Sequence, residues 1–89
     1  FLEALTGIEK LIVDPHYLGG GLHETRAGGH LGVHADFNIN KRMNVLRRLN
    51  LLIYLNEDWD PGWNGALELW ERDMSRRTHS VLPSIGKAV

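Results

Sequence analysis

The chain has 89 residues, 43% of them apolar, enough for at most one small domain with a modest core. Ten basic and eleven acidic residues nearly cancel, so no electrostatic footprint points to nucleic acid or an anionic membrane surface; Arg47-Arg48 and Arg76-Arg77 are pairs, not patches. Cysteine is absent, which excludes disulfide scaffolds, zinc ribbons and thiol chemistry, and no apolar run approaches the roughly 18 residues of a membrane span.

Phe1 to Thr6 carries apolar residues at 1, 2, 4 and 5 with Gly7 behind them, the pattern of a helix end stopped by glycine. The opening Phe1-Leu-Glu-Ala-Leu lacks the charged n-region of a signal peptide. Leu11-Ile-Val13 is a short β-prone run closed by Asp14-Pro15, a turn initiator. Gly19-Gly-Gly21 has no helix with a Lys-Ser/Thr pair after it, so it reads as a bend and not a phosphate cradle. Leu22 to Arg26 and His30 to Phe37, separated by the turn Ala27-Gly-Gly29, read as the two strands of a hairpin.

The second of these strands carries the chemistry. In Leu31-Gly-Val-His-Ala-Asp-Phe37 residues alternate with a period of two, so His34 and Asp36 share a face while Leu31, Val33, Ala35 and Phe37 take the other. An imidazole and a carboxylate at i and i+2 supply two thirds of the 2-His-1-carboxylate arrangement that holds non-haem Fe(II) with open positions. Five His and five Asp in this length predict roughly 0.3 chance His-x-Asp matches, so the tripeptide needs its context.

Asn38 to Val45 reads as a polar loop. Arg48 to Asn56 is the strongest strand signal, with Leu49, Leu51, Ile53 and Leu55 expected in the core and Arg48, Asn50, Leu52, Tyr54 and Asn56 facing a wet pocket. Asp60-Pro-Gly62 and Asn64-Gly65 mark a return loop, Ala66 to Trp70 a short strand, Arg72 to Thr78 a loop, and His79 to Leu82 a further short strand before the turn at Pro83 to Gly86. Trp59, Trp63 and Trp70 are expected as core anchors. Short strands between Gly/Pro turns predict a mainly β sandwich or barrel with a helix fragment at the N-terminus.

Three stretches in order, Gly20-Gly-Leu-His-Glu-Thr-Arg-Ala-Gly-Gly-His-Leu-Gly-Val-His-Ala-Asp-Phe-Asn38, Arg47-Arg-Leu-Asn-Leu-Leu-Ile-Tyr-Leu-Asn-Glu-Asp-Trp59 and Asn64-Gly-Ala-Leu-Glu-Leu-Trp70, resemble the prolyl 4-hydroxylase-like Fe(II)/2-oxoglutarate-dependent dioxygenases, with the nearest look to bacterial relatives of the oxygen-sensing prolyl hydroxylases. The resemblance implies a double-stranded β-helix, or jelly-roll, over residues 1–89 as one partial domain. It implies His34 and Asp36 as the first two iron ligands, Tyr54 as a hydrogen-bond donor to the 2-oxoglutarate carboxylate and Leu67 as an apolar contact for that co-substrate. His23 stands on the preceding strand as a further candidate co-substrate contact.

By the same resemblance the partners are O₂ and a peptide or small-molecule substrate, with Fe(II) and 2-oxoglutarate as cofactors, ascorbate as an optional addition, and a cytoplasmic location; neither nucleic acid nor membrane is expected. The family's second iron His and the Arg or Lys that anchors 2-oxoglutarate lie beyond Val89, and His79 precedes the expected place. The chain lacks an initiator Met and ends inside an apparent strand, Lys87-Ala-Val89, so the expectation is of a domain truncated at the C-terminal end and inactive alone, with cut edges open to strand-mediated oligomers. The alternative is a non-catalytic jelly-roll module that binds a ligand or partner.

Overall fold

A computed structural model describes all 89 residues, which divide into two compact units: Phe1–Gly29 with Asp36–Leu49, and His30–Ala35 with Asn50–Val89. The first unit begins with α1, Leu2–Thr6, ended as expected by Gly7 in the left-handed region at φ 69. The Gly7 N–H reaches the Glu3 carbonyl, and the Glu3 carboxylate accepts from Leu11 N–H at 2.7 Å. Five residues are too few for a self-sustaining helix, so this return of the chain onto Glu3 helps to hold it.

The turn at Asp14-Pro15 forms around the Asp14 carboxylate, which accepts from His16 N–H at 2.8 Å and Leu18 N–H at 3.0 Å. Its Oδ2 also accepts from the Asn40 side-chain amide at 2.9 Å, and Asn40 Oδ1 accepts from Met43 N–H at 3.1 Å. Asn40 is the one polar side chain that is buried, at 5% exposure, and the burial is tolerable because both ends of its amide are satisfied. Asn40 thereby joins the Asp14 turn to a hairpin of β1, Ile39–Asn40, and β2, Val45–Leu46. The strands are antiparallel, with Ile39 opposite Leu46 and Asn40 opposite Val45. The stretch Asn38 to Val45, expected as a polar loop, instead carries β1 and the first residue of β2; only residues 41–44 form a loop, the tip of this hairpin, closed by Asn44 at φ 54, a conformation asparagine tolerates.

In the second unit β3, Leu67–Trp70, pairs antiparallel with β4, Arg77–Val81. Leu67 faces Val81 and Leu69 faces His79, after which the register skips Thr78 and sets Trp70 opposite Arg77. This is a β-bulge, and the Thr78 hydroxyl donates to the Leu69 carbonyl at 2.9 Å beside it. The connection is sealed by Glu71 and Arg76, which share a backbone hydrogen bond of 2.9 Å and a side-chain ion pair of 3.0 Å. Residues 52–56 run alongside 84–89 through reciprocal Leu52 and Val89 bonds of 2.9 Å and a bridge between Ile53 and Ala88. The turn at Asp60 is a single 3-10 turn, Pro61–Trp63, with the Asp60 carboxylate accepting from Gly62 N–H.

Three expectations differ. Residues 22–26 and 30–37 join no strand ladder, so the hairpin expected there is absent. Arg48 to Asn56 is represented by isolated bridges at Ile53 and Asn56, and although Leu49 is half-buried as expected, the covered side is reversed over residues 51–55: Leu51, Ile53 and Leu55 are 50, 59 and 63% exposed while Leu52 and Tyr54 are half-buried. Trp63 is exposed and stands edge-on to Trp59 at 5.7 Å, so it anchors no core. The physical reason is common to all three. Each sheet has two strands, and apart from Pro83 no apolar residue is buried. The chain is mostly strand and turn with little helix, as a mainly β class requires, but these two small sheets are not by themselves a jelly-roll. No helix is long and apolar enough to cross a membrane.

Candidate metal centre

His34 is oriented by its own stretch of chain. Its Nδ1 lies 2.8 Å from the Gly32 carbonyl oxygen, two residues back. A carbonyl oxygen only accepts, so Nδ1 is the donor, and the neutral form of a ring held this way has its lone pair on Nε2. Metal-binding imidazoles are commonly fixed in this way, with the nitrogen remote from the metal donating to a carbonyl or carboxylate that holds both tautomer and ring plane. The ring lines an open cavity of about 400 Å³ together with Val33, Leu69, Trp70, Arg72 and Met74.

Asp36 belongs to the first unit and has a cationic neighbour there. Arg47 Nη2 lies 3.4 Å from Asp36 Oδ2, and the guanidinium carbon stands 4.6 Å over the centroid of the Phe37 ring. The hairpin puts Arg47 there. Its register continues past β1 and β2 through a 2.8 Å bond from Arg47 N–H to the Asn38 carbonyl, which sets Arg47 across from the residues next to Asp36. Sequence reasoning counted Arg47 only as half of a basic pair. The signal that finds it is Asn44, whose tolerance of the left-handed region allows a hairpin tip there and so a pairing of 38 with 47.

Tyr54 lies half-buried in the second unit, its backbone bonded to Lys87 at 2.9 Å and Gly86 at 3.1 Å. Loss of water around the phenol raises its pKa above the ordinary value. Leu67 opens β3, half-buried opposite Val81. His23 is exposed in the first unit, outside any strand. His79 is exposed on β4, opposite Leu69, within the stretch expected as a short strand. Beside it Glu68 accepts from Arg77 at 2.6 Å and from the Trp70 indole at 3.0 Å, and these donors hold its carboxyl below the usual range.

No three His, Asp or Glu side chains are gathered so as to hold a metal ion. Residues 34 and 36 nevertheless fit Fe(II) by type, as an imidazole and a carboxylate. No curated protein and no solved structure matches the chain. Residues 20–89 match the family model described as the 2OG-Fe(II) oxygenase superfamily, a stretch that takes in every candidate site residue from His23 to Leu67. The chain therefore belongs to the 2OG-Fe(II) oxygenase superfamily, whose members generally use Fe(II) and 2-oxoglutarate.

Proposed function

We propose that the protein is an Fe(II)- and 2-oxoglutarate-dependent dioxygenase of the prolyl 4-hydroxylase-like kind, acting on a prolyl peptide or a related small molecule. Residues 1–89 would be part of one double-stranded β-helix domain, to which the two small sheets contribute. The observation that carries this reading is the family match over residues 20–89. The hydrogen bond from His34 to Gly32 supports it, because it prepares the imidazole as a donor before any ion arrives.

His34 Nε2 and the Asp36 carboxylate would hold the iron, which with 2-oxoglutarate supplies the activation of O₂ for hydroxylation of a C–H bond. The chain's own residues supply placement. The Gly32 carbonyl accepts from His34 Nδ1 and so favours one orientation and one tautomer of the ring. Tyr54, kept protonated by its half-buried setting, is a phenolic donor suited to a co-substrate carboxylate. Leu67 offers an apolar wall, and His23 a further polar contact.

The test is succinate formation from 2-oxoglutarate by the intact protein with Fe(II), in the presence of proline-containing peptides or free amino acids. His34→Ala is expected to abolish it, with turnover down at least a hundredfold. Unchanged turnover removes the metal assignment. Retained metal binding with no succinate from any substrate favours the non-catalytic binding module instead.

A further inference from the structure

We infer that Arg47 is a positioning residue for the metal, acting through Asp36: its guanidinium, seated on the Phe37 ring, fixes the carboxylate in the orientation that receives the ion. The inference rests on the proposed reading of Asp36 as a ligand. Three observations carry it, all within the first unit. Arg47 Nη2 is 3.4 Å from Asp36 Oδ2. The guanidinium stands 4.6 Å over Phe37, so it is held from a second side independently of the carboxylate. The Arg47 backbone is tied across the hairpin to Asn38 at 2.8 Å, so the root of this long side chain is fixed too. Arg47 is accordingly only 20% exposed, although Asp36 is 45% exposed.

A carboxylate has two oxygens. Together they offer about four lone-pair sites, so an ion pair at Oδ2 restricts rotation of the group without exhausting its capacity as a ligand. Two effects then oppose each other. The guanidinium repels an incoming divalent cation, and it also holds the ligand in place. At a half-exposed carboxylate water and salt screen the repulsion to about threefold in affinity. Partners that orient a ligand contribute about ten- to a hundredfold. Orientation wins, so loss of Arg47 weakens the site. Lysine keeps the charge but loses the planar fork and most of the ring contact, and restores only part of the effect.

The test is titration of the intact protein with Co(II), followed by its visible absorption, for wild type, Arg47→Ala, Arg47→Lys and Phe37→Leu, with His34→Ala as the reference for loss of the site. Arg47→Ala is expected to bind about three- to thirtyfold more weakly with altered band intensities, and Arg47→Lys and Phe37→Leu to fall between it and wild type. Where Arg47→Ala does not fold, Phe37→Leu decides: a loss of threefold or more supports positioning, and unchanged affinity overturns it. If His34→Ala abolishes binding while Arg47→Ala binds as tightly as wild type, or more tightly, the positioning role is overturned and the metal reading stands. If wild type and His34→Ala are indistinguishable, the metal reading fails and takes this inference with it.

Discussion

Replacing Asn40 tests whether the first unit is held together by one buried amide. Asn40 is 5% exposed and spends both ends of its side chain, donating to Asp14 Oδ2 at 2.9 Å and accepting from Met43 N–H at 3.1 Å. Asn40→Ala removes both bonds, at about 1 kcal/mol each, so the expected loss is about 2 kcal/mol. At about 4 to 8 °C per kcal/mol for a domain of this size, the melting temperature should fall by roughly 8 to 16 °C. Asn40→Asp makes a sharper comparison, because the new carboxylate still accepts from Met43 but faces the Asp14 carboxylate without a donor between them.

Asn40→Asp should therefore be the worse variant at neutral pH, and its deficit should shrink as acid protonates one of the two carboxyls. In the wild type the Asp14 carboxyl is held below its ordinary value, first by the His16 backbone N–H and then by Leu18 N–H, Arg42 and His16. Its contribution is thus complete above the unfolded carboxyl range and disappears as pH falls through the lowered folded value. Thermal melts of the three proteins from neutral pH to about pH 3 provide the measurement. A loss below 0.5 kcal/mol for Asn40→Ala, or an Asn40→Asp deficit that does not change with pH, would refute the reasoning.

Tyr54 should ionise later than an ordinary tyrosine, because its surroundings raise the phenol. Its folded-state contribution is full below the unfolded tyrosine pKa and fades as pH rises through the raised one; ultraviolet difference titration should show one late transition that Tyr54→Phe removes. Gly7→Ala places a methyl group on a residue at φ 69, where nothing lies within 4 Å, so the cost is conformational and about 1 kcal/mol. Hydrogen exchange at the Leu5 and Gly7 amides should quicken several-fold, and an unchanged rate would show that Gly7 does not hold the end of α1. These tests join those set out for His34 and Arg47.

What the sequence disclosed was mostly local. Gly7 as a stop, Asp14-Pro15 as a turn and β3 within Ala66 to Trp70 depend on a few neighbouring residues and are present where expected. The alternation from 48 to 56 was equally visible, but a period of two defines two faces without stating which is covered. That depends on what packs against the strand, and in a run tied only by isolated bridges Leu51, Ile53 and Leu55 stay half or more exposed. The run from 30 to 37 has strand-like composition yet needs a ladder partner, and residues 22–26 do not supply one.

At the candidate site the residue types and their spacing were legible, and the family match over residues 20–89 agrees with the superfamily that the motifs resembled. The partners of those residues were not legible. The Gly32 carbonyl has no side-chain signature, and Arg47 reaches Asp36 only through a hairpin register that composition does not announce.

The Gly32 contact has an evolutionary corollary. The acceptor that steers His34 is a main-chain atom, so no single codon change at position 32 deletes it. Nor does the absence of a side chain there look compulsory: a methyl group built on Gly32 meets no atom within 4 Å. The aim of this imidazole is thus written in the path of the peptide chain, tolerant of drift in what decorates residue 32 and vulnerable instead to an inserted or deleted residue between 32 and 34.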